Sequence, residues 1–212
     1  MNATQDQQSQ MTNAQVILVD ENDNQIGTCN KYDAHRTDPG AKLHRAFSLF
    51  LFEPKEGKLL LQRRSEYKLT FPLIWANTCC SHPNPDEEVI PASKRRAKLE
   101  LNINTENMSN LTEVGVFLYK APCGEWTEYE IDHVIFGDYD IDISKETIDF
   151  NKSEVCEIKW VSSSELALLI EKEPDTLSPW LKKIYSQWLA KNWNSWITSK
   201  TIVNKSSTVV KL

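Results

Sequence analysis

The order of the apolar runs constrains this fold more than any other feature. Strand-like segments come largely in pairs, and only three helical stretches interrupt them. The strict strand–helix alternation of a parallel doubly wound sheet is therefore absent. VILVDENDNQIG reads as a hairpin: Val16 to Val19 is an apolar strand, the Asp- and Asn-rich stretch turns, and Ile26-Gly27 returns. AFSLFLFEPKEGKLLLQRR reads as a second hairpin, turning between Glu53 and Gly57. A helix is expected over 86–101, with Asp86 as its cap and Pro91 opening its regular part. Leu111 to Tyr119, Glu128 to Phe136 and CEIKWVS read as further strands, followed by a helix from Ser162 to Glu173. In the last helix, SPWLKKIYSQWLAKNWNSWI, Trp180, Ile184 and Trp188 recur at i, i+4 and i+8. The pattern is α+β: mixed sheet with helices packed outside.

A chain of 212 residues suits one large domain. That domain is expected over 15–197, between a flexible polar N-terminal tail (1–14) and a polar C-terminal tail (198–212). The first tail has no basic start and no apolar middle, so it does not read as a secretory signal. No apolar run approaches the roughly 18 residues of a membrane span. The net charge of −6 gives no nucleic-acid footprint. The five cysteines are odd in number and contain no CxxC pair, and a bridge between adjacent Cys79 and Cys80 would be strained. A reduced, cytoplasmic protein is expected.

The chemistry-bearing residues fall into two groups. His35, His44 and His82 are three of only four histidines, the fourth being His133. On a strand, Glu128 and Glu130 share one face about 7 Å apart. Two carboxylates so placed repel one another unless a cation lies between them, so these residues fit either a metal site or a solvated acidic strand edge. The second group is basic: Lys31, Arg63, Arg64, Lys68, Arg95 and Arg96. Such residues suit a phosphorylated ligand or are scattered surface cations. Glu100, one turn after Arg96, is either its helix ion-pair partner or a metal ligand beside a phosphate clamp.

NTCCSHP, the histidines of KYDAH and LHRAF, the arginine pair and acid over 95–101, the ExE strand and SPW at 178–180 occur in a set order. In that order they resemble the type 1 isopentenyl diphosphate isomerases of the Nudix-fold superfamily, from about Val16 to Trp196. The resemblance implies a Nudix-type mixed sheet sandwiched by helices. It implies interconversion of isopentenyl diphosphate and dimethylallyl diphosphate, a small-molecule diphosphate substrate, by protonation and deprotonation through a tertiary carbocation. By the same resemblance Cys80 and Glu130 handle the protons, Tyr119 bonds to Glu130 and Trp180 lies beside the alkene. His35, His44, His82, Glu128 and Glu130 would hold one divalent ion (Mn²⁺, Zn²⁺ or Mg²⁺), and Glu100 a second, Mg²⁺, against the diphosphate. Lys31, Arg64, Lys68 and Arg96 would clamp the diphosphate.

Aligned on the Nudix box, Ser81 takes the first Gly, Glu87 the first Glu and Arg95 the Arg. Arg96, Leu99 and Glu100 take the acidic positions and Asn102 the last Gly. The box keeps one acid of its cluster, which favours gripping a diphosphate over cutting it. Leu73 stands where the family commonly has Gly after Phe-Pro.

Overall fold

Strand β3 (His44–Glu53) is the centre of the sheet. Its sequence, HRAFSLFLFE, is apolar on alternate positions of both parities, as a strand covered on both faces must be. Phe47, Leu49 and Leu51 enter one core, and Phe50 and Phe52 enter the other. Four strands pair with β3. They are β1 (Gln15–Val19), β4 (Lys58–Arg64), β6 (Cys79–Ser81) and β8 (Trp126–Tyr139).

The computed structural model describes residues 3–212. Among the described residues ten strands make one mixed sheet. Its main path adds β2 (Gln25–Asn30) beside β1, and β7 (Met108–Cys123) and β10 (Val209–Lys211) beyond β8. A branch runs from β4 to β5 (Trp75–Ala76) and β9 (Val155–Val161). The pairings β3–β8 and β7–β10 are parallel, and the others are antiparallel.

Helices cover both faces. Helix α1 (Ala3–Asn13) precedes β1, and the short α2 (Lys31–His35) follows β2, capped by the Asn30 side chain. Helix α3 (Val89–Leu101) sets Ala92, Ala97 and Leu101 against Leu49, Leu51 and Cys79. Helix α4 (Ser163–Lys172) starts at a capping box of Ser162 and Glu165. The other face is covered by α5 (Pro179–Ile184), a π-turn over Tyr185–Leu189 and α6 (Ala190–Ser199). These bury Trp180, Ile184, Trp188, Trp193 and Trp196 against Phe50, Phe52 and Phe136. Gly115 makes this approach possible, since a Cβ there would lie 2.3 Å from the Trp188 ring.

Three expectations change. Helix α3 begins at Val89 after Glu88, while Asp86 sits in a left-handed turn (φ 63°). Pro91 is the third helical residue, where its missing N–H costs nothing because the first four N–H groups have no intrahelical partner. The stretch read as a flexible N-terminal tail is helical over Ala3–Asn13, with Gln7 and Met11 buried; residues 1 and 2 lie outside the described residues. The stretch read as a C-terminal tail contributes β10. All five cysteines are free thiols. Among the described residues no helix is long and apolar enough to cross a membrane.

Candidate active site

The parallel pairing of β3 with β8 sets His44 directly opposite Glu130. Helix α2 brings His35 alongside, and the end of β6 brings His82. The ligand atoms of His35, His44, His82, Glu128 and Glu130 all lie within 4.8 Å of one another. His35 Nδ1 contacts the Lys31 carbonyl and His44 Nδ1 the Lys42 carbonyl, each at 2.8 Å. A carbonyl partner requires the proton on Nδ1, so both Nε2 lone pairs turn inward. His44 Nε2 then lies 3.1 Å from His82 Nε2, and His82 Nε2 lies 2.9 Å from Glu130 Oε1. His35 Nε2 lies 3.0 Å from Glu128 Oε2. Converging nitrogen lone pairs and carboxylates, in a pocket of buried side chains, are a donor set that fits a divalent cation. His82 also has a buried Nδ1 without a partner among the described residues. Burial, with Lys31 and the other two imidazoles nearby, holds its pKa well below the ordinary histidine value and so favours its neutral form.

The expected proton-handling residues face one cavity. Cys80, Glu130, Tyr119 and Trp180 all line it. Burial pushes the Cys80 thiol up to about 12 against the opposing pull of Arg64, whose Nη1 is 3.5 Å from Sγ. For Glu130 burial works upward but is outweighed by His44, His35 and Tyr119, which bring the carboxyl down to about 2. Tyr119 donates to Glu130 Oε2 at 2.5 Å. Burial and the carboxylates beside it hold the Tyr119 phenol well above its ordinary pKa. Trp180 is fixed by its Nε1–H, which donates to Asn77 Oδ1 at 2.9 Å.

Lys31, Arg64, Lys68 and Arg96 line the same cavity, whereas Arg63 pairs with Glu157 and Arg95 with Glu87 outside it. Burial, together with Lys68 and Arg96, lowers Lys31 to about 8. Arg64 is held by the Thr70 and Phe71 carbonyls. Glu100 stands outside the group of five converging ligands. It accepts from Arg96 at 2.7 Å and from Gln62 at 3.1 Å, the helix ion pair its spacing allowed.

The NUDIX domain family matches residues 42–186. The isopentenyl-diphosphate Delta-isomerase of Nocardia farcinica is 43% identical over 171 residues, which is 80% of this chain and 91% of that protein. The chain belongs to the type 1 isopentenyl-diphosphate isomerases of the Nudix superfamily. The chloroplastic isomerase I of Arabidopsis thaliana is 42% identical over 79% of this chain, which spans 62% of that longer protein. Two solved structures share the fold. A Deinococcus radiodurans protein aligns with a TM-score of 0.63 at 22% identity, over 82% of this chain and 98% of its own. A Nudix hydrolase from M. smegmatis aligns at 0.54 and 18%, over 81% and 99%.

The altered Nudix box of this isomerase is held by local bonds. Arg95 donates to both carboxylate oxygens of Glu87, at 2.8 and 2.6 Å. Asn102 closes α3 in the left-handed conformation (φ 51°), donating to the Lys98 carbonyl, which an asparagine tolerates in place of glycine. Three contributions to the isomerase cavity escape a reading of the sequence. Asp132 continues the carboxylate face of Glu128 and Glu130, and burial followed by the Glu130 charge raises it to about 8. Period-two counting carried one step further would have found it. Glu154, buried in the loop before β9, accepts from Lys68 and from Arg96 and so orders two of the cavity cations. No local pattern marks it. Helix α1 supplies Gln7, Gln10 and Met11.

Proposed function

We infer that this enzyme interconverts isopentenyl diphosphate and dimethylallyl diphosphate, moving one double bond by one carbon through a tertiary carbocation. The observation that carries the reading is one cavity that places Cys80 and Glu130 together with Lys31, Arg64, Lys68 and Arg96, with burial holding the thiol protonated and the neighbours of Glu130 favouring its ionised form. An unactivated alkene is a very weak base. Its isomerisation needs one group that gives a proton, one that takes a proton from the carbon on the far side, and stabilisation of the positive charge between them. Cys80 and Glu130 hold complementary protonation states, and their roles exchange when the reaction runs backward. Tyr119 keeps its proton and donates to Glu130 Oε2, which orients that carboxylate and spreads its charge. The Trp180 indole offers a π-face to the developing cation.

The four cations grip the diphosphate and leave the hydrocarbon tail toward Trp180. His35, His44, His82, Glu128 and Glu130 would hold one divalent ion (Mn²⁺, Zn²⁺ or Mg²⁺). Glu100 would hold Mg²⁺ beside the diphosphate only by giving up the bonds it accepts from Arg96 and Gln62. When bound, such ions supply positive charge that neutralises the clustered carboxylates and the diphosphate. The acidic cluster of the Nudix box, reduced to Glu100, supports a site that binds a diphosphate without hydrolysing it.

Incubation with isopentenyl diphosphate and Mg²⁺, followed by an acid-lability assay for the allylic product, tests the reading. The wild type should form product, and Cys80→Ala and Glu130→Gln should not. Release of phosphate or pyrophosphate in place of the allylic isomer would overturn it.

A further inference from the structure

Helix α1 is polar along almost its whole length, ATQDQQSQMTN, yet it buries two side chains one turn apart. Gln7 is 5% exposed and Met11 6%. Both face the cavity of Cys80 and Glu130. The burial of Met11 is ordinary for an apolar side chain. Gln7 differs, because its Nε2 has no hydrogen-bond partner among the described residues. A buried amide donor without an acceptor is destabilising, and native proteins keep few of them. In a ligand cavity, a bound ligand can supply the missing acceptor.

The surroundings identify that acceptor. Lys31, Arg64, Lys68 and Arg96 line the same cavity, and all four present only donors. An amide N–H added to four cationic donors completes a cage for an anion rich in oxygen. The docking of α1 leads to the same residues. Arg96 Nη1 donates to Gln10 Oε1 at 3.3 Å, and the Lys31 amide donates to the Ala14 carbonyl at 2.8 Å. The Asn30 side chain, next to Lys31, donates to the Thr12 carbonyl.

We propose that Gln7 is a substrate-binding residue of this isomerase: its Nε2–H donates to a phosphate oxygen of the bound diphosphate, and α1 is the element that delivers it. The proposal rests on the reading of the four cations as the diphosphate clamp. It assigns to the N-terminal helix a share of the affinity for the part of the substrate that does not react. Binding gained there is equal in ground and transition states, so it acts on KM and leaves kcat alone.

The probe is inorganic pyrophosphate with Mg²⁺, titrated calorimetrically into the 212-residue protein. Gln7→Leu keeps the buried volume and removes the donor, and Gln7→Glu places a negative charge there. Gln7→Leu should weaken pyrophosphate binding about tenfold, as loss of one hydrogen bond to a charged group does. It should raise KM for isopentenyl diphosphate by a similar factor with kcat within about twofold. Its melting temperature should equal or exceed that of the wild type, since an unpaired buried donor is gone. Gln7→Glu should bind more weakly still, and Gln8→Leu, on the exposed side of the helix, should match the wild type. A wild type that fails to bind pyrophosphate would overturn the clamp reading itself. A wild type that binds, with Gln7→Leu binding equally well, would overturn the role of Gln7 alone. So would a Gln7→Leu that melts lower with its affinity intact.

Discussion

Cys79 and Cys80 are neighbours in the chain and face opposite sides of the sheet. On β6 they pair with Leu49 and Ser48 of β3, and successive strand side chains alternate. Cys79 is fully buried among Leu49, Leu51 and Ala97, in the core under α3. Cys80 lines the cavity beside Arg64. Cys80→Ala should abolish isomerisation with little change in melting temperature. Cys79→Ala should retain most activity and lose about 1 kcal/mol of stability through the removed sulfur. Turnover and thermal unfolding of both variants check this, and an exchange of the two behaviours would refute the assignment of faces.

Leu73 occupies a left-handed backbone position, φ 59°, with its side chain about half exposed. The backbone is pinned there: the Leu73 amide donates to the Arg64 carbonyl, and its carbonyl accepts from Arg63 Nε, both at 3.0 Å. The left-handed conformation costs a side-chain-bearing residue roughly 1–2 kcal/mol, and glycine's extra unfolded-state entropy offsets about half of that. Leu73→Gly should therefore stabilise the enzyme by about 0.5–1 kcal/mol with activity unchanged. Leu73→Ala, which keeps the Cβ, should give no such gain. Urea unfolding midpoints separate the two.

Local periodicity made much of this molecule legible. The apolar runs of β3 and β8 and the i, i+4, i+8 series of Trp180, Ile184 and Trp188 express their burial directly in the sequence. The pairing of Glu128 with Glu130 on one face follows from a spacing of two. Convergence over distance leaves no such trace. That Glu154 anchors Lys68, or that His35, His44 and His82 meet, depends on where loops end, and only the order of several motifs hinted at the latter. Helix α1 leaves as little trace for a related reason. Two buried residues in an otherwise polar helix give almost no amphipathic signal, because what α1 covers is a polar cavity. Strand β10, of three residues, is too short for any pattern.

His133, on the face of β8 opposite to the active site, bridges two carboxylates. Its Nδ1 lies 2.8 Å from Glu113 Oε2 on β7, and its Nε2 lies 2.9 Å from Asp23 Oδ2 in the β1–β2 turn. Arg45 of β3 also donates to Asp23. Burial opposes the charged imidazole, but its bonds to Asp23 and Glu113 prevail and raise it from 6.5 to about 9. A raised pKa means that this contribution to stability is complete below pH 6.5 and is lost as the pH climbs through about 9. Relative to wild type, His133→Gln should be less stable by about 1–3 kcal/mol at low pH, the worth of hydrogen bonds to charged groups. The deficit should shrink toward pH 9.5. Urea unfolding of both proteins across that range checks it, and a deficit independent of pH would mean the bridge is held by a neutral imidazole.

Trp180 packs edge-on against Phe71 and lies under the Arg64 guanidinium, whose Cζ is 5.5 Å from the ring. Its Nε1–H bond to Asn77 fixes the indole plane beside Cys80 and Tyr119. If the ring serves the carbocation, Trp180→Phe, which keeps a π-face, should retain more activity than Trp180→Leu, which keeps only apolar volume. The gap should be about 1–2 kcal/mol, or roughly tenfold in rate. Both substitutions leave Asn77 Oδ1 without its donor, so both should lower the melting temperature, and stability alone cannot distinguish a catalytic ring from a packing one. Binding can. A tertiary-amine diphosphate with its cation at the intermediate's carbon should bind the wild type tightly as a mimic of that intermediate. Its affinity should fall further in Trp180→Leu than the affinity for a neutral substrate analogue does. A ring that only packs the helix predicts equal losses for the two ligands, because neither its volume nor its bond to Asn77 distinguishes a charged tail from a neutral one. Equal losses would move Trp180 from the site to the core.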